Sequence, residues 1–210
     1  MHRLSSSFVL GYHGCDRTVG ERLLKGARFK PSNNEYDWLG PGVYFWEANP
    51  ERGVEFAQEA AERNGRGVSE PFVVGAVIDL GLCLDLTTAS GVDLLRIAYG
   101  NLAQNMEAAG GTLPMNSPDG LRRNLDCAVI RQLHAIREAE NAAGADTVKG
   151  IFTEGGPAYP GAGFDAKTHI QIAVRNLQCV KGIFRVPSER KKGHSSLRRN
   201  APSKSRKLKA

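Results

Sequence analysis

Short apolar runs bounded by glycine or proline occur near both ends of the chain, while apolar residues three or four apart fill much of the middle. The first pattern predicts strands and the second amphipathic helices. Phe8 to His13 reads as a buried strand ending at Gly14, Val43 to Trp46 as a second, and Pro71 to Leu80 as the most strand-like run. Further strands are expected at Val148 to Thr153, His169 to Arg175 and Val180 to Val186. Helices are expected from Asp16 or Thr18 to Lys25, from Asn49-Pro50-Glu51 to about Arg63, and from Thr87 or Thr88 to about Ala109. Asp, Asn, Ser and Thr are capping residues, and Pro50 suits a first helical position. Ser117-Pro118-Asp119 then opens the longest helix, roughly 118 to 143, with Leu121, Leu125, Val129, Leu133 and Ile136 on one face. Residues 27–42 and 154–167 are loops rich in turn formers. Strands at both ends with helices grouped mid-chain predict an α+β fold rather than a doubly wound parallel sheet.

Composition narrows the class. A chain of 210 residues, 41% hydrophobic and 24% charged, fits one soluble domain with a tail. No apolar run approaches the ~20 residues that span a bilayer, and the start of the chain lacks a signal-peptide apolar region. The expectation is a protein of the cytoplasm, or one delivered by a route that needs no cleaved signal, without a membrane partner. Cys15, Cys83, Cys127 and Cys179 are scattered with no paired spacing, which points away from a zinc site and a disulfide framework and towards buried free thiols. No metal is expected.

Charge is unevenly placed. The net charge is +6, yet Pro187 to Ala210 holds nine Lys/Arg against Glu189 alone, so the body is slightly acidic. The expected division is a folded domain over 1–186 and a basic, disordered tail over 187–210. A cationic tail adds salt-sensitive affinity for phosphate backbones, and it equally suits solubility or a protein partner.

Candidate chemistry lies in three stretches. The first is an apolar strand ending in His13-Gly14, and the second is Gly40-Pro41-Gly42-Val43-Tyr44-Phe45. The third is the late strand Thr168-His169-Ile170-Gln171-Ile172. In this order they resemble the ADP-ribosyltransferase superfamily, in the branch shared by diphtheria-like toxins and poly-ADP-ribose polymerases. The resemblance spans residues 8 to about 186 in pattern and is specific at the first two motifs. It implies a split antiparallel β-sheet core and NAD as substrate. His13 would hydrogen-bond a ribose hydroxyl, and Gly14 would pair its backbone with the nicotinamide amide. Tyr44 would stack on the nicotinamide ring and Phe56 would close its other face. Phe56 also sits on the inward helix face, where core packing alone would place it.

The family usually carries Glu in the last strand, where this chain has Gln171. Gln171 can fix the ribose but brings no charge. Glu154, on the loop before the strand, is the candidate carboxylate, or else a solvated loop acid; Asp165 is a weaker candidate. His169 shares a strand face with Gln171 and is either a site group or a satisfied partner. The resemblance thus implies a mono-ADP-ribosyltransferase rather than a polymerase. Its acceptor is a macromolecule, with RNA, DNA and protein all open, and a toxin or phage-defence role would bring an antitoxin partner. A catalytically inactive NAD, ADP-ribose or nucleic-acid binder and an NAD glycohydrolase are the rival readings.

Overall fold

The computed structural model describes residues 2–3, 8–63 and 67–187. In chain order the elements are β1 (His2–Arg3), β2 (Phe8–Asp16), α1 (Arg17–Leu24), β3 (Val43–Glu47), α2 (Pro50–Glu62), β4 (Pro71–Asp79), β5 (Leu82–Asp85), α3 (Ala89–Ala108), α4 (Asn124–Ala139), β6 (Thr147–Phe152), β7 (His169–Val174) and β8 (Val180–Arg185). The strands form one eight-stranded sheet in the order β1-β5-β6-β7-β3-β2-β4-β8. All neighbours are antiparallel except β5 and β6. The α+β class holds. All eight strands are joined in this order, but β2 and β3 pair only at Gly11↔Glu47 and Tyr12↔Trp46, whereas β2 and β4 pair over nine positions.

Each face of the sheet covers its own apolar core. One contains Leu23 of α1, Phe29, Val43, Phe45, Val74, Ile78, Ile172 and Val174. The other joins Leu39, Leu84, Val148 and Ala173 to Ala98 of α3 and to Val129, Ile130 and Leu133 of α4. Alternation along the strands sorts the residues: Phe45 and Ile172 go to the first core, Tyr44 and Ala173 to the second. Among the described residues no helix is long and apolar enough to cross a membrane, and no group of three or more His, Cys, Asp or Glu could hold a metal ion. All four cysteines are free and buried.

Helix starts follow the caps read from the sequence in three cases. Asp16 accepts from the Thr18 N–H, Asn49 from the Arg52 N–H and Thr88 from the Gly91 N–H. The fourth expectation is corrected. Ser117-Pro118-Asp119 does not open a helix; Gly120 at φ 69° turns the chain, and α4 begins only at Asn124. With 16 residues α4 is shorter than the 20-residue α3, and Leu121 lies outside it, 60% exposed. Its first turn has no cap from its own N-cap residue; Asn116 Oδ1 instead accepts from the Leu125 and Asp126 N–H groups. Strands β1 and β5 have no counterpart among the expected elements. Nearly all of the basic tail, 188–210, lies outside the described residues.

Candidate functional site

The strands that bear the three motifs are neighbours. β2 carries His13-Gly14, β3 carries Tyr44-Phe45, β7 carries His169 and Gln171, and they pair in the order β7-β3-β2. The register places Trp46 opposite Gln171 on one side and Tyr12 on the other. A one-residue offset moves a side chain to the other face of a sheet.

That offset separates the two residues the resemblance would bring together. The His13 ring lies 5.6 Å from Phe45 and 5.3 Å from Phe29, in the first core, with Nδ1 donating to the Tyr44 carbonyl at 2.9 Å. Burial pushes its pKa below the ordinary histidine value, partly offset by that carbonyl. Tyr44 points to the opposite core. Its hydroxyl donates to the Gly40 carbonyl at 2.8 Å and accepts from the Leu39 N–H at 3.0 Å, so it pins the preceding turn. Burial raises its pKa far above the ordinary value. Gly14 is also engaged elsewhere: a Cβ there would stand 2.2 Å from the Gly53 carbonyl oxygen, so its bare backbone is what lets α2 sit on β2. His13 and Tyr44 therefore do not converge, and His13, Gly14 and Tyr44 do not line the cleft.

The other candidates do meet. A cleft of about 980 Å³ is lined by Phe56, Glu154, Asp165 and Gln171, together with Trp38, Trp46, Arg52, Arg123, Phe152 and Lys167. Phe56 faces Trp46 with ring centroids 4.8 Å apart, so the aromatic pair is Trp46–Phe56 rather than Tyr44–Phe56. Phe152 stacks on His169 at 5.5 Å with an interplanar angle of 8°. Arginines overlie the aromatics: Arg52 sits 5.9 Å from the Trp46 ring, and Arg123 sits 5.3 Å from Phe152 and 5.8 Å from Trp38. Arg122 lies 5.7 Å from Tyr36 at the rim.

Charge at the cleft is organised by Arg52, 7% exposed. Its guanidinium meets Glu154 at 3.1 Å, Glu59 at 3.3 Å and Glu55 at 3.8 Å, and Lys167 meets Glu59 at 2.9 Å. Glu154 thus stands in the cleft, but as the partner of a buried cation rather than as a free loop acid.

Gln171, 9% exposed, is held on both ends of its amide. Oε1 accepts from Trp38 Nε1 at 3.0 Å, and Nε2 lies 3.0 Å from His169 Nε2. His169 Nδ1 lies 2.6 Å from the Lys167 carbonyl. Trp46 Nε1 and Arg52 Nε are buried donors without a partner among the described residues.

Sequence reasoning singled out neither tryptophan nor Arg52, Arg123 or Phe152. Trp46 directly follows the Gly-x-Gly-x-Tyr-Phe stretch, two residues from Tyr44 on the same face, so period-two alternation could have found it. Arg52 and Arg123 had no signal beyond ordinary helix starts.

Comparison with known proteins adds little. No family model matches the chain, and no solved structure matches it. An uncharacterized protein of Methanocaldococcus jannaschii, MJ0359, is 42% identical over 36 residues, 17% of this chain and 17% of its own length. The match thus spans a small part of that relative and carries no function with it.

Proposed function

We propose that the cleft binds NAD and that the chain is a mono-ADP-ribosyltransferase, passing ADP-ribose to a macromolecular acceptor. The observation that carries this reading is the adjacency of β2, β3 and β7, with Gln171, Glu154 and Phe56 meeting in one cleft. At about 980 Å³ that cleft reaches the upper end of the range for small-molecule sites.

The residues supply suitable contacts. Phe56, half-buried and packed on the buried Trp46, offers a flat, cationic nicotinamide one aromatic wall, with area burial and cation–π attraction. Gln171 offers hydrogen bonds to ribose hydroxyls, and Arg122, Arg123 and Lys167 are cations for the diphosphate. In the reaction the bond from ribose C1′ to the nicotinamide nitrogen breaks, and nicotinamide leaves with the electron pair. The positive charge that develops on the ribose is of the oxocarbenium type. Glu154, a carboxylate of the cleft lining beside β7, is the candidate to stabilise that charge and to take the acceptor's proton. The acceptor then bonds to C1′ and loses its proton. RNA, DNA and protein remain candidate acceptors, distinguished by the test below.

One observation favours a second reading, a non-catalytic NAD or ADP-ribose binder. β7 carries no carboxylate, and Glu154 is already paired with Arg52. Labelled NAD incubated with total RNA, DNA or lysate protein separates the two. Transfer predicts label in one acceptor class, lost in Gln171→Ala and Glu154→Gln and kept in His13→Ala where that variant folds. NAD binding without turnover supports the binder, free ADP-ribose alone supports hydrolysis, and absence of binding overturns the site.

A further inference from the structure

The hydrogen-bond series at the floor of the cleft admits one consistent proton arrangement. A carbonyl only accepts, so at 2.6 Å from the Lys167 oxygen His169 Nδ1 carries a hydrogen. A neutral imidazole then leaves Nε2 as a bare acceptor, and the Gln171 atom beside it at 3.0 Å must donate, as an amide N–H does. The indole of Trp38 only donates, and it meets the amide oxygen at 3.0 Å. Turning the amide over would set N–H against N–H at Trp38 and two acceptors against each other at His169.

Protonating His169 disturbs this arrangement from one end. An imidazolium donates from both nitrogens, so Nε2–H would face the amide N–H₂ of Gln171. The amide can turn to accept from the imidazolium, but it then sets its N–H₂ against the Trp38 indole. One hydrogen bond is lost either way, which adds to the cost of charging the ring, and turning keeps the charge-assisted bond to the imidazolium, the stronger of the two. Its other neighbours are mixed. Glu154 and Glu55 favour the charged form, Arg52 opposes it, and Phe152 on β6 and Trp46 on β3 flank the ring. Burial is the largest effect and holds the pKa below the ordinary histidine value.

We propose that His169 is a positioning residue: its neutral Nδ1–H form fixes which way the Gln171 amide faces in the cleft, and its protonation reverses that amide. In the fixed orientation Gln171 keeps one amide N–H and one oxygen lone pair for a ligand. Reversal exchanges their places, so a ligand matched to one orientation meets like against like in the other. The consequence for NAD rests on the reading of the cleft as its site. NAD binding then has an acid limit set by His169, with affinity about tenfold lower once the ring is protonated.

Two measurements test this on the full chain. The first uses long-range ¹⁵N–¹H spectra of the imidazoles from about pH 8 to about pH 4, and needs no ligand. The expected result is an Nδ1–H tautomer at neutral pH. In Trp38→Phe, where the amide turns without losing an indole partner, the His169 midpoint moves up towards its ordinary value. In Gln171→Glu, where a carboxylate accepts from both sides, it rises by about one unit or more. An Nε2–H tautomer, or a midpoint unmoved in both variants, overturns the proposal. The second titrates NAD across the same range. Its acid limb should track the His169 midpoint in wild type and move with it in Trp38→Phe, whereas affinity that is flat through the midpoint overturns the gating. Should NAD not bind at any pH, the NAD reading of the cleft fails, while the tautomer and the two midpoints still decide the lock.

Discussion

Tyr44 shows how one side chain can carry a family's motif and do a different job. Its hydroxyl closes a loop between the Gly40 carbonyl and the Leu39 N–H, and its ring packs with α4 in the second core. Tyr44→Phe keeps the ring and removes both hydrogen bonds, leaving two backbone groups short of a partner. We expect a loss of about 1–3 kcal/mol, measured by urea denaturation, with NAD affinity reduced less than in Trp46→Ala. A ring that stacked on nicotinamide through its face would show little change in stability. The residue types in the motif were legible, but their facing was not. The His13 ring lies against Phe45, and no local pattern in β2 or β3 states how one strand slides against the other.

At the scale of elements, the contact between β2 and α2 decides where the wall of the cleft stands. The Gly14 backbone touches the Gly53 carbonyl, and α2 brings Arg52 and Phe56 to the cleft from that contact. Gly14→Ala would push the helix off the strand against rigid backbone. The expected outcome is a loss of roughly 2–4 kcal/mol or a failure to fold, checked by thermal melting. A second prediction concerns α4, whose first turn is capped from Asn116. Asn116→Ala should cost about 1 kcal/mol, while Ser117→Ala leaves the helix start intact, as amide exchange at Leu125 and Asp126 would show. The strands and three helix starts were readable because apolar runs and local caps are properties of neighbouring residues. The start of α4 was misread because its cap acts across a turn reversed by Gly120, and β5 was missed because it is four residues long and buried beside β6. The cleft was half legible: Phe56 and Gln171, reached through the resemblance, and Glu154, chosen as the acid on the loop before β7, all line it. Trp38 and Arg123 come from loop and helix ends that only tertiary packing brings over β6 and β7.

Among the described residues, three histidines have pKa values held down by burial: His13, His134 at about 4, and His169. In the unfolded chain each binds a proton near pH ~6.5. Between that value and its lower folded value the unfolded state holds more protons, so stability is complete above about pH 6.5 and falls as the medium acidifies towards pH 4. Urea midpoints measured through this window should decline, and His134→Gln should flatten the decline by removing one such group. A second whole-molecule feature lies in the pairing order. β7 is hydrogen-bonded between β6, the strand just before it in the chain, and β3, which lies far upstream. During synthesis, Trp38, Trp46 and Phe56 leave the ribosome long before the strand that must lie beside them. Until about residue 174 has emerged, β3 and β6 have no shared neighbour and the cleft has no floor. The cleft therefore assembles only once β7 has been made, a delay written into the order of the strands.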